Sequence, residues 1–210
     1  MRSLNSIPNN PWPHDMRITV DDQADPLLEL LWIREAYDLE PRGDDLPPLL
    51  SHPPLGEALR PPTPRDREEW TSAWPALWAA AVSHAGKEAD FALHERLTRT
   101  ANGSQDRIEL LRELVGPSWR DEFGSEALDP PSYREWREGT VAPRPPALED
   151  NPLVRDLDGV VVAWRAGMTK IITIPCDGEY TRRVGDNALL ITEQTMTSSD
   201  AFRRALGAFA

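Results

Sequence analysis

A single cysteine, Cys176, precedes two adjacent arginines, Arg182 and Arg183, by a few residues. Guanidinium groups near a thiol favour the thiolate, and the thiolate is the nucleophilic form. If folding brought His84 or His94 beside it, Cys176 and the Arg182/Arg183 hairpin would form the site of a small hydrolase or transferase. The plainer reading is that a lone cysteine at a strand end is a small packed side chain. Sequence leaves both open.

The histidines carry little more. His94-Glu95 begins like the zinc-protease helix HExxH, but Thr98 stands where the second imidazole is needed. Without two imidazoles on one helical face that geometry fails. A site drawn from His52, His84 and His94 would have to be assembled from separate segments. A Cys-cluster metal site needs more than one cysteine. The expectation is therefore no metal and no cofactor. Glycine-rich phosphate loops, GxSxG, dinucleotide fingerprints and RNA-binding aromatic strands are all missing from the sequence.

Binding, as opposed to catalysis, points to other residues. Tyr180, Arg182 and Arg183 form the least acidic stretch of an acidic chain. Alternation along a strand puts Tyr180 and Arg182 on one face and Arg183 on the other. A partner's carboxylate or another anion could dock there on arginine. Solvated arginines paired with Asp177, Glu179 or Asp186 are the simpler alternative. Of the eight tryptophans, Trp70, Trp74 and Trp78 repeat at i, i+4 and i+8 and belong to a core. Trp12 and Trp136, beside proline-rich stretches, are placed at a surface, where large aromatics anchor interfaces.

Composition narrows the function classes. The net charge of −12 repels phosphate backbones and anionic membranes, so nucleic-acid binding through a basic face is not expected. Lys87 and Lys170 are the only lysines among 23 basic residues, which reads as the codon bias of a GC-rich genome. No apolar segment is long enough for a signal or a membrane span. A cytoplasmic protein is the expectation. The 21 prolines are about twice the usual share of roughly 5%, and they divide the chain into short elements joined by stiff connectors.

The elements that would position these groups follow from caps and periodicity. Residues 1–24 read as an N-terminal arm with a short strand at Met16–Val20. A helical region spans 25–139. It opens at Asp25-Pro26 and is interrupted by a proline-rich strap at 41–64, whose leucines imply that it lies over the body. The next helix opens at Thr63-Pro64, bears the tryptophan stripe, meets Pro75 as a kink or division, and stops at Gly86. Later helices open near Ala89, at Ser104 (carrying Ile108, Leu111, Leu114 and Val115) and at Asp129-Pro130. A connector at 139–150 leads into a small α+β unit, 140–210, which could pack as one domain with the rest. It begins with a helix from Pro152. Period-two runs at 170–175, 179–184 and 188–192 follow, separated by Cys176-Asp177-Gly178 and Gly185-Asp186-Asn187, and read as a three-stranded antiparallel meander. A final helix at 199–209 covers it. The fold class is α+β, mainly α. The expected function is a non-enzymatic protein-binding or regulatory factor, with another protein or a second copy as partner.

Overall fold

The computed structural model describes residues 12–54, 59, 63–88, 90–128, 130–140 and 150–209. Residues 1–11 of the arm, Leu55 of the strap, and 141–149 of the second connector lie outside them.

The chain is α+β and mainly helical. Strand β1 (Thr19–Asp21) leads into α1 (Asp25–Ala36), then α2 (Pro64–Ala85), α3 (Phe91–Arg99), α4 (Gln105–Val115), α5 (Trp119–Phe123) and α6 (Pro130–Gly139). After α7 (Pro152–Arg155) and α8 (Leu157–Arg165) come β2 (Lys170–Ile174), β3 (Thr181–Val184) and β4 (Ala188–Thr192). The short α9 (Glu193–Thr197) and α10 (Ser199–Leu206) end the described chain with a 3-10 turn, Gly207–Phe209.

The caps explain most starts and stops. Thr63 and Asp66 form a reciprocal capping box at α2. Asp90 caps α3 and Ser104 caps α4 through their side-chain oxygens. Gly116 ends α4 at φ 80°, a conformation that glycine adopts without a Cβ penalty. Helix α2 continues through Pro75 as one element. The single helix expected from Pro152 is instead two, α7 and α8, meeting at Asp156.

The meander is corrected. The sheet is mixed, in the order β1-β2-β4-β3. Strands β1, β2 and β4 are parallel, and only β3 runs antiparallel, against β4. The Gly185–Asn187 turn does make a hairpin, but the chain from Cys176 to Tyr180 passes over the end of β4 so that β4 can insert beside β2. The reason is burial. In β2, Ile171 faces one hydrophobic cluster while Ile172 and Ile174 face another. In β4, Ala188 and Leu190 face the second cluster, and Leu189 and Ile191 the first. Strands apolar on both faces need cover on both and take the centre. Strand β3, Thr-Arg-Arg-Val, suits an edge, where charge is tolerated and discourages further pairing.

The sheet thus has helices on each side. On one face lie α1 and α2 with Trp119, Leu128 and Trp136; on the other lie α8 and α10 with Phe202 and Phe209. Helix α1 is buried around most of its circumference: Leu27, Leu30, Leu31, Trp32 and Ile33 have no exposed surface. The Trp74 indole donates to the Leu30 carbonyl at 2.9 Å and stacks on Trp78 with centroids 5.3 Å apart. The tryptophan stripe is core.

Candidate functional site

Cys176 lies two residues beyond β2 and is fully buried. The strap covers it. Leu50 forms an antiparallel bridge with Cys176, the Ser51 N–H donates to the Pro175 carbonyl at 3.0 Å, and the Asp177 N–H donates to the Leu49 carbonyl at 2.8 Å. Prolines have no N–H to donate, so a proline-rich strap presents mainly carbonyls. Arg34 supplies the donors. Its Nη1 donates to the Pro47 carbonyl at 2.8 Å and its Nη2 to the Pro48 carbonyl at 2.5 Å. Glu35, paired to Arg34 at 3.0 Å, accepts from the Leu50 N–H at 2.6 Å. Burial pushes the Cys176 thiol up to about 12, and the Arg34 charge offsets only part of that. The thiol stays protonated at neutral pH.

The histidines are elsewhere. His84, near the end of α2, donates from Nε2 to the Leu114 carbonyl at 3.0 Å. It packs so closely on Gly116 that a Cβ there would fall 2.2 Å from the ring. His84 therefore ties the end of α4 to α2. His94 donates from Nδ1 to the Asp90 carbonyl at 2.9 Å. Both line a solvent-open cleft of about 530 Å³ that also holds both lysines, Lys87 and Lys170, with Asp21, Asp25 and Glu88. Lys170 pairs with Asp21 at 3.4 Å. Imidazoles and carboxylates there could move protons, but no serine, threonine or cysteine is among the described residues lining the cleft. The structure brings His84 and His94 to one cleft and leaves Cys176 out of it. Among the described residues, no group of three or more His, Cys, Asp or Glu side chains is arranged to hold a metal ion.

Tyr180 and Arg182 share the face of the sheet that meets α1 and α2. The Tyr180 hydroxyl donates to the Asp45 carbonyl of the strap at 2.9 Å, and burial raises its pKa against the pull of Arg182. Arg183 projects to the opposite face and lies over the Phe209 ring, 4.4 Å from its centroid. The three residues do not form one surface. Trp12 is half-buried, and its indole donates to the Met16 carbonyl at 3.2 Å. The surface expectation for Trp136 is corrected: it is 8% exposed, donates to the His52 carbonyl at 2.7 Å, and stacks near Tyr133. The strap needs a donor there, and the indole N–H meets it.

Sequence reasoning missed three features. Asp156, at the α7–α8 break, gathers Arg155, Ser199 and Arg203. Glu29, buried in α1, pairs with Arg120 at 2.6 Å through one oxygen, while its other oxygen has no hydrogen-bond partner among the described residues. The third is an exposed apolar stripe. The α3–α4 hairpin has its own small core of Leu93 and Leu110. Along α4, Ile108 (40% exposed), Leu111 (39%) and Val115 (45%) are partly exposed, Val115 within the lining of the histidine cleft, and Phe91 at the start of α3 is 83% exposed. The signal was present: apolar residues at 108, 110, 111, 114 and 115 cover more of the helix than one packed face requires.

Comparison with protein-family models, with curated proteins and with solved structures gives no significant match. Among the described residues, no helix is long and apolar enough to cross a membrane.

Proposed function

We propose that this chain is a non-enzymatic protein-binding or regulatory factor that acts through the outer face of the α3–α4 hairpin. The observation that carries the reading is the run of partly exposed Ile108, Leu111 and Val115 at i, i+3 and i+7 along α4, reaching the rim of the histidine cleft. Scattered apolar residues on a surface need no explanation, but an aligned stripe on a projecting helix is the form in which helical partners are bound. The hairpin is tied to α2 through His84 and Leu114, so it presents that stripe on a fixed support. Against the alternative of a small hydrolase or transferase stand the burial of the Cys176 thiol and its separation from the histidine cleft.

The test is quantitative capture of proteins from cells that express the chain, using wild type and Leu111→Glu as baits. The reading expects at least one protein, a second copy included, whose retention falls tenfold or more with Leu111→Glu while the melting temperature is unchanged. If nothing retained depends on Leu111, Ile108 or Val115, the reading fails.

A further inference from the structure

We infer that the partner of this hairpin is a protein segment bearing both apolar and basic side chains, and that it sends one lysine or arginine into the histidine cleft. The inference rests on the reading of the hairpin as a contact surface. Stripe and cleft are continuous, because Val115 closes the run along α4 and, with Leu114, lines the cleft. A segment laid over Ile108 and Leu111 therefore reaches the cleft mouth. At about 530 Å³ the cleft has room for a long side chain.

The lining selects which one. Leu27 of α1, Ala81 and Ala85 of α2, Leu93 of α3 and Leu114 of α4 supply apolar wall, against which an aliphatic stem packs. Around them stand five carboxylates, Asp21, Asp25, Glu88, Asp90 and Glu113, against the two ammonium groups of Lys87 and Lys170. Three of the five already have work within the chain. Asp21 pairs with Lys170 at 3.4 Å, Asp25 with Arg137 at 2.6 Å, and Asp90 caps the Leu93 N–H at 3.0 Å. Glu88 is exposed and accepts a long bond from the Thr169 hydroxyl, 3.4 Å, so its charge is free to face a newcomer. A cleft with an excess of one sign concentrates the opposite sign, and the net charge of −12 adds to that field. Lysine and arginine join an apolar stem to a cationic head, so they match wall and rim together. A bare metal ion does not, since among the described residues no three ligating side chains are grouped to hold one.

Two labelled amphipathic helical peptides test this by fluorescence anisotropy with the full chain. One carries leucine on one face and arginine on the other; its twin has citrulline, the neutral isostere, at every arginine. The arginine peptide should bind at least tenfold more tightly than the twin. Glu88→Lys should weaken it about fivefold or more, and Lys87→Glu should tighten it about threefold or more; a tighter variant is a folded one. Arg165→Glu makes the same change of net charge as Lys87→Glu on α8, across the sheet, and should move binding less than twofold, because exposed charges that far apart are screened. Leu111→Gln should weaken binding at least fivefold. Equal binding of the two peptides overturns the inference, as does no binding of the arginine peptide up to about 1 mM. Equal effects of Lys87→Glu and Arg165→Glu reduce the attraction to net charge and also overturn it. Binding indifferent to Leu111 overturns it as well, because stripe and cleft are then not one surface. If cellular capture still depends on Leu111 while the arginine peptide fails any of these tests, the basic partner is lost and the protein-binding reading stands. Loss of the captured protein's dependence on Leu111 ends both.

Discussion

Replacing Asp156 with alanine removes an acceptor shared by donors from two helices. Asp156 Oδ1 accepts from Ser199 Oγ at 2.5 Å and from Arg203 Nε at 2.7 Å, and Oδ2 accepts from Arg155 Nε at 2.8 Å. The carboxylate is fully buried, whereas the side chains of Arg155 and Arg203 are 31% and 61% exposed. That asymmetry sets the magnitude. A hydrogen bond to a charged group contributes about 1.5–3 kcal/mol, and three such bonds would suggest more than twice that. Once the carboxylate is gone, however, both guanidinium groups turn to water and recover their solvation. The expected loss is then about 3 kcal/mol, near the lower end for breaking a buried pair. For a chain of this size each kcal/mol moves the melting temperature by about 2–4 °C, so Asp156→Ala should melt about 6–12 °C lower. Arg203→Ala removes only an exposed partner and should cost about 1 kcal/mol or less.

The same site gives a pH signature. Burial alone would raise the Asp156 pKa, but the Ser199 hydroxyl, Arg155 and Arg203 together outweigh it and hold the carboxyl below its usual value. A folded-state pKa below the unfolded one means stability that is fully present above the unfolded pKa and lost as pH falls through the folded one. Thermal melts of wild type and Asp156→Ala at pH 7, 5 and 3 should therefore converge toward low pH. A difference below 2 °C at pH 7, or one that stays constant down to pH 3, would refute the reasoning.

Three other outcomes are expected. Glu29 has the opposite sign: burial raises its pKa, with Asp25 adding and Arg120 and Arg137 opposing, so its stability contribution is lost as pH rises through the folded value. Glu29→Gln should accordingly gain on wild type in denaturant melts at pH 7, and the gain should shrink toward pH 4; a variant less stable at pH 7 contradicts this. Cys176 should resist a thiol reagent in the folded chain at pH 7, and Arg34→Met, which releases the Pro47 and Pro48 carbonyls, should speed labelling at least tenfold and cost about 3 kcal/mol; rapid labelling of wild type would contradict the burial of the thiol. Trp136→Phe keeps the ring beside Tyr133 but loses the bond to His52, so it should cost about 1 kcal/mol in chemical denaturation.

What the sequence determined by itself was whatever depends on neighbours within about one helical turn. The start read near Ala89 falls at the Asp90 cap, but the Thr63-Pro64 and Ser104 starts each rest on a side chain bonded to the backbone three residues on, so their chemistry can be read in one dimension. So could the Gly185–Asn187 turn and the tryptophan face of α2. Tertiary structure decided the strand order, because Lys-Ile-Ile-Thr-Ile and Ala-Leu-Leu-Ile-Thr reveal their place only when helices cover both of their faces. It also decided that Trp136 serves the strap, that Asp156 breaks a helix to meet α10, and that the thiol of Cys176 is sealed off. Each of these joins residues tens of positions apart, where the cost of closing the chain is repaid by burial and hydrogen bonding that no local spacing encodes.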